Sequence, residues 1–152
     1  MTPQAVRRIK NSGPQESQAA SKGRKIDCPT EEEESLSLAL WARMMVEANQ
    51  EPRLKLLRCG FEGLRLPMGL RMKVKRQSVS TGWPDFFLAV PKFEPNYHRC
   101  GLFIELKREK GGAVSSDQCE IIALLQEQGY SACVCKGATE AIRVIKAYLD
   151  MR

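Results

Sequence analysis

The 152-residue sequence predicts an α/β sandwich, a small mixed β-sheet flanked by helices in the order α-β-β-β-α-β-α. Apolar residues recur at helical spacing in three places: Leu38, Trp41 and Met45; Ile121, Ile122 and Leu125 behind Gln118; and Ile142, Ile145, Tyr148 and Leu149. Short apolar runs, "FFLAV", "GLFIELK" and "YSACVC", have the length and bounds of strands. Gly- and Pro-containing turns separate these runs. The length suits one domain with a real core.

Residues 1–29 are rich in Ser, Gln, Gly and Pro and lack apolar periodicity, which predicts a disordered arm ahead of a folded domain over 30–152. The arm is basic, with Arg7, Arg8, Lys10, Lys22, Arg24 and Lys25 against Glu16 and Asp27. Thr30 then caps a helix, and Glu33 three residues later completes a capping box. Leu40 and Met44 flank its apolar stripe, which traced backward passes through Glu34 and Glu31. "RLKLLRC" reads as a short strand. Residues 61–79 form a long, Gly-punctuated basic loop with weak strand or helix content.

"TGWPD" is a turn, the "FFLAV" strand ends at Pro91, and "PKFEPNYHR" is a connecting loop. After the strand around Glu105 comes a Gly-Gly turn, and Ser115 opens the next helix, which Gly129 stops. Thr139 is expected to cap the last helix.

Composition narrows the function. The chain is 43% hydrophobic and 28% charged, an ordinary globular balance, but its formal net charge of +6 points to an acidic partner such as nucleic acid. No run is long and apolar enough to span a membrane, and the first residues lack the apolar core of a signal peptide. Six cysteines show no CxxC pair, and Cys119, Cys133 and Cys135 lie in apolar stretches where a reduced thiol packs as a small hydrophobe. With His98 the single histidine, a Cys/His zinc site is not expected. A reducing cytosol is the expected compartment.

The informative stretch is "GLFIELKREKGG". On a strand, Leu102, Ile104 and Leu106 share one face while Phe103, Glu105 and Lys107 share the other. Residues two apart sit roughly 6.5–7 Å from one another, so the Glu105 and Lys107 tips can converge on one ligand. A buried carboxylate is costly unless paired or metal-bound. Asp85 stands at the mouth of the preceding strand, and two close carboxylates repel unless a hard divalent cation lies between them. Oxygen donors without histidine or thiolate favour Mg²⁺ or Mn²⁺ over zinc. An isolated E-x-K is most often a salt bridge at a strand end. Preceded by three apolar residues and by P-D one strand earlier, it fits phosphodiester hydrolysis: Asp85, Glu105 and the metal activate water, and Lys107 steadies charge on the phosphoryl oxygens.

These residues resemble the PD-(D/E)XK nuclease superfamily. The series "TEEEES…LALW", "STGWPDFFLAV", "GLFIELKREKGGAVSSDQ" and "LLQEQGYSACVCKGATEAIRVIKAYL" looks like its VRR-NUC branch, in its stand-alone phage-type form, over nearly all of residues 30–149. The resemblance implies that Asp85 and Glu105 bind metal together with the Leu106 backbone carbonyl, and that Lys107 is catalytic. It places the family's helix glutamine at Gln118, which also reads as the partner of Ser115 in an S-x-x-Q capping box. The family's acid on the first helix maps to Glu31, with Glu34 the alternate, because Ser35 stands where a glutamine is expected. Four glutamates also suit the positive end of a helix.

"RCGFEGLRLPMG" departs from the family's Pro-Asn-Gly turn, so the substrate-facing loop differs. Arg65, Arg71, Lys73, Lys75 and Arg76 in that region, with Arg108 and Lys110, are the candidates for phosphate contact. Trp83 either stacks on a base or wedges the turn. The resemblance implies a homodimeric endonuclease acting on branched DNA such as four-way junctions, without a small-molecule cofactor. The rival functions are a non-catalytic DNA-binding protein on the same fold, a sequence-specific restriction-type enzyme, and an RNA nuclease.

Overall fold

The computed structural model describes residues 28–60 and 66–151. The basic arm therefore lies outside the described residues apart from its last two positions, and so does Arg65. Helix α1 (Glu31–Glu47) starts as its sequence dictates: the Thr30 N–H donates to Glu33 Oε2 at 2.8 Å and the Glu33 N–H donates to Thr30 Oγ1 at 3.2 Å. Leu38 and Ala42 are buried, with Trp41 and Met45 packed beside them, whereas Leu40 and Met44 are exposed. A 3-10 turn (Pro52–Leu56) follows, so only Leu57–Cys59 of the anticipated strand is strand β1.

Helix α2 (Met68–Gln77) occupies most of the stretch read as a loop. None of its residues is buried, so no tertiary stripe marked it in the sequence. Strand β2 (Phe86–Leu88) is followed by β3 (Lys92–Glu94) and β4 (Tyr97–Arg99), a two-stranded hairpin in the segment expected to be irregular. Its three-residue strands lie largely at the surface, and the flanking Pro91 and Pro95 mask its alternation. Strand β5 (Leu102–Lys107), helix α3 (Ser116–Glu127), strand β6 (Ser131–Lys136) and helix α4 (Gly137–Tyr148) complete the chain.

The main sheet has the order β1-β2-β5-β6, antiparallel except for the parallel β5–β6 pair, which a crossover through α3 requires. Helices α1 and α4 cover one face, where Leu38, Leu88, Leu102, Ile104, Leu106, Cys135, Ala141 and Ile145 form the main core. Helix α3 covers the other, where Phe103, Leu125 and Ala132 are buried with Phe87, Ile121, Ile122 and Tyr130 against them. Phe87 and Phe103 stack at 4.3 Å between ring centres. All six β5 residues are buried, as the central strand of a covered sheet must be.

Two further expectations are corrected. Cys119 is exposed on α3 rather than packed, while Cys135 is fully buried and Cys133 half-buried. Thr139 does not cap α4, which begins two residues earlier at Gly137. The acceptor for its first turn comes from another helix: Glu34 Oε2 receives the Ala138 N–H at 2.7 Å.

Candidate active site

Pairing of Phe86 with Ile104 brings the residue before β2, Asp85, alongside Glu105 on β5. The loop bearing Asp85 is held on three sides. Asp85 Oδ2 accepts the Leu106 N–H at 2.8 Å, and the Asp85 carbonyl accepts the Gly60 N–H at 2.6 Å. Thr81 Oγ1 donates to Asp117 Oδ2 at 2.7 Å, tying the loop to the first turn of α3. Gly82 permits this approach: its φ is +87°, and a Cβ there would lie 2.6 Å from the Asp117 carbonyl carbon. Trp83 serves the turn, donating from Nε1 to Ser80 Oγ at 2.9 Å and leaning on Phe103, although its ring stays 44% exposed.

Glu105 is 1% exposed. Its Oε1 accepts the Lys107 ammonium at 2.7 Å and a short hydrogen bond from Gln118 Nε2. Its Oε2 is buried and receives no hydrogen bond among the described residues. Burial pushes the Glu105 carboxyl up to about 7; the Lys107 hydrogen bond opposes this, and the negative fields of Asp85 and Glu31 add to it. Burial pulls Lys107 down, yet its hydrogen bond to Glu105 and the surrounding carboxylates outweigh that and leave it above its ordinary value.

Gln118 makes the contacts of the capping box and also touches Glu105. Its Oε1 accepts the Ser115 N–H at 2.9 Å and its own N–H donates to Ser115 Oγ at 3.2 Å, while Nε2 reaches Glu105. The two glutamates proposed for α1 separate cleanly. Glu31 Oε1 lies 4.0 Å from the Lys107 ammonium and its side chain is half-exposed toward the site. Glu34 is buried and committed to α4. The structural duty of Glu34 could be suspected from its place on the buried stripe, but its partner, 104 positions away, could not.

Asp85, Glu105, the Leu106 backbone and Glu31 therefore present oxygen donors around Lys107, a set suited to a hard divalent cation. Among the described residues no three carboxylates, histidines or thiolates stand drawn together as a ready-made metal cage. The fit rests on two adjoining carboxylates, one with an unserved buried oxygen, and on Glu31 at the rim. The Leu106 side chain itself belongs to the main core.

Of the candidate phosphate contacts, Arg71, Lys73, Lys75 and Arg76 all lie exposed on α2. Arg108 and Lys110 are exposed just beyond β5. Arg108 lines a cleft of about 410 Å³ with Thr30, Glu31, Glu32 and the Gly111–Gly112 turn, adjoining the carboxylates. A larger cavity of about 590 Å³ lies at the opposite end of β5 and β6, beside Leu102 and Ser131, and takes no part in the site.

The family model of the VRR-NUC domain matches residues 24–139. A solved structure described as a VRR_NUC domain protein superposes with a TM-score of 0.63 at 26% identity, covering 82% of this chain and 92% of that one. No curated protein sequence matches.

Proposed function

The chain belongs to the VRR-NUC family, a nuclease-type family acting on DNA, and on that footing we propose that it is a divalent-metal-dependent DNA endonuclease. The observation that supports a metal requirement is the buried Oε2 of Glu105, a carboxylate oxygen shielded from solvent that no donor among the described residues satisfies. Glu105, Asp85 and the Leu106 carbonyl would hold Mg²⁺ or Mn²⁺, with Glu31 joining from α1. When bound, such a cation would supply Lewis acidity and lower the pKa of a coordinated water toward neutrality.

The chain's own residues do the rest. Gln118 fixes the Glu105 carboxylate through Oε1 and leaves Oε2 turned away from that bond. Asp85 is oriented by the Leu106 N–H, so its second oxygen is directed by a backbone it shares with the strand. Lys107 is a buried cation placed to stabilise negative charge growing on a phosphoryl oxygen. Its bond to Glu105 also lowers the cost of keeping two carboxylates so close.

One active site per chain cuts one strand at a time, which supports action as a homodimer. Branched DNA is the proposed substrate, because two sites in a symmetric dimer suit a substrate with paired strands at a junction. The test is cleavage of labelled linear duplex, flap and four-way-junction DNA with Mg²⁺, Mn²⁺ or EDTA, for wild type and Glu105→Ala. Metal-dependent cutting of the junction, lost in Glu105→Ala while binding persists, is the expected result. Binding without cutting would make Glu105–Lys107 a structural ion pair. A ladder of fragments from linear duplex would favour restriction-type activity, and cutting confined to matched RNA substrates would replace DNA by RNA.

A further inference from the structure

Helix α2 is inserted between β1 and β2, and both ends of that insertion meet the sheet beside Asp85: the Gly60 N–H donates to the Asp85 carbonyl, and a Cβ on Gly60 would lie 3.3 Å from the Pro84 carbonyl oxygen. No residue of α2 is buried. Met68 and Met72, one turn apart, are 74% and 46% exposed. Arg71 and Lys75 follow them at i+3 and Arg76 follows Met72 at i+4, so three cations border this thioether pair on one face. Val74, half-buried, and Leu70 fall on the opposite side. The ten residues contain no acid.

We infer that this face of α2 engages DNA at an interruption in base stacking, a substrate specificity that rests on the endonuclease reading. Arg71, Lys75 and Arg76 take the flanking phosphates, and the flexible Met68 and Met72 side chains pack on the exposed base faces or wedge an opened step. A continuous duplex hides those base faces and offers only the phosphates, so the methionines discriminate distorted from regular DNA. A second copy of the chain is disfavoured as the occupant, because two such faces would set like charges against each other.

The experiment measures binding in EDTA to a continuous duplex, the same duplex with a central mismatch, and a four-way junction. Met68→Ala/Met72→Ala preserves helix propensity and removes no buried residue. It is expected to weaken mismatch and junction binding about tenfold, to leave the continuous duplex within about twofold, and to keep the salt dependence unchanged. Arg71→Ala/Lys75→Ala/Arg76→Ala is expected to weaken all three and to lower the slope of log affinity against log salt by about two to three. An equal loss on all three DNAs, or none, for the methionine variant overturns the inference. Dissociation of a dimer by that variant, seen in sedimentation, overturns it as well by making α2 a subunit contact. If wild type cuts none of the DNAs with Mg²⁺ or Mn²⁺ while the methionine discrimination holds, the endonuclease reading fails and the α2 assignment stands.

Discussion

The two faces of β5 are equally hidden from water and built on opposite rules. Leu102, Ile104 and Leu106 pack into the main core with nothing to satisfy but shape. Across the strand, Phe103 keeps that rule, but Glu105 and Lys107 bury an ion pair, and one carboxylate oxygen has no partner among the described residues. The first face lowers the free energy of the fold; the second carries a desolvation cost that the proposed chemistry would account for. Burial alone therefore does not tell a structural position from a functional one. The unsatisfied polar atom does.

That contrast can be broken from either side. The largest effect is expected from Glu105→Gln, which keeps an acceptor for Lys107 and Gln118 but removes the charge: single-turnover cleavage should fall about a thousandfold or more, while the urea midpoint stays put or rises. A comparable loss of stability would show that the ion pair belongs to the fold. On the other face, Ile104→Ala should cost about 3 kcal/mol of unfolding free energy through the cavity it leaves, with cleavage per folded molecule near wild type. Denaturant titration paired with kinetics well below the midpoint checks both halves.

Gly82→Ala should cost about 1–3 kcal/mol, because its φ of +87° and its contact with Asp117 both resist a Cβ. It should also slow cleavage by displacing the Asp85 loop, so in this variant the two readouts move together. The smallest effect separates the α1 glutamates. Glu34→Ala leaves the Ala138 N–H unpaired and should cost about 1–2 kcal/mol with cleavage retained. Glu31→Gln should slow cleavage and leave the thermal midpoint unchanged. Reversed outcomes would exchange the two roles.

What the sequence disclosed follows the same division. The Glu105–Lys107 pattern was legible because period-two alternation is strict on a strand and a charged pair interrupts it visibly. Asp85 and the Thr30 and Ser115 caps were legible because turn and cap chemistry is local. The α3 stripe disclosed Gln118 but not that one amide serves a cap and a carboxylate together. Contacts between distant positions left no local trace: Glu34 on Ala138, and Thr81 on Asp117. Helix α2 and the β3–β4 hairpin escaped notice for a related reason, since elements lying mostly at the surface carry little of the apolar periodicity that reveals secondary structure.

The amide of Gln118 has one more consequence. Because its oxygen is held by the Ser115 N–H and its nitrogen by Glu105, the first turn of α3 and the site carboxylate form one mechanical unit. Any event that reorients the carboxylate tugs on that turn, and fraying of the turn frees the carboxylate. The backbone amide protons of Ser115 and Gln118, on the outside of the molecule, thus become NMR reporters of what happens at a carboxylate that solvent does not reach.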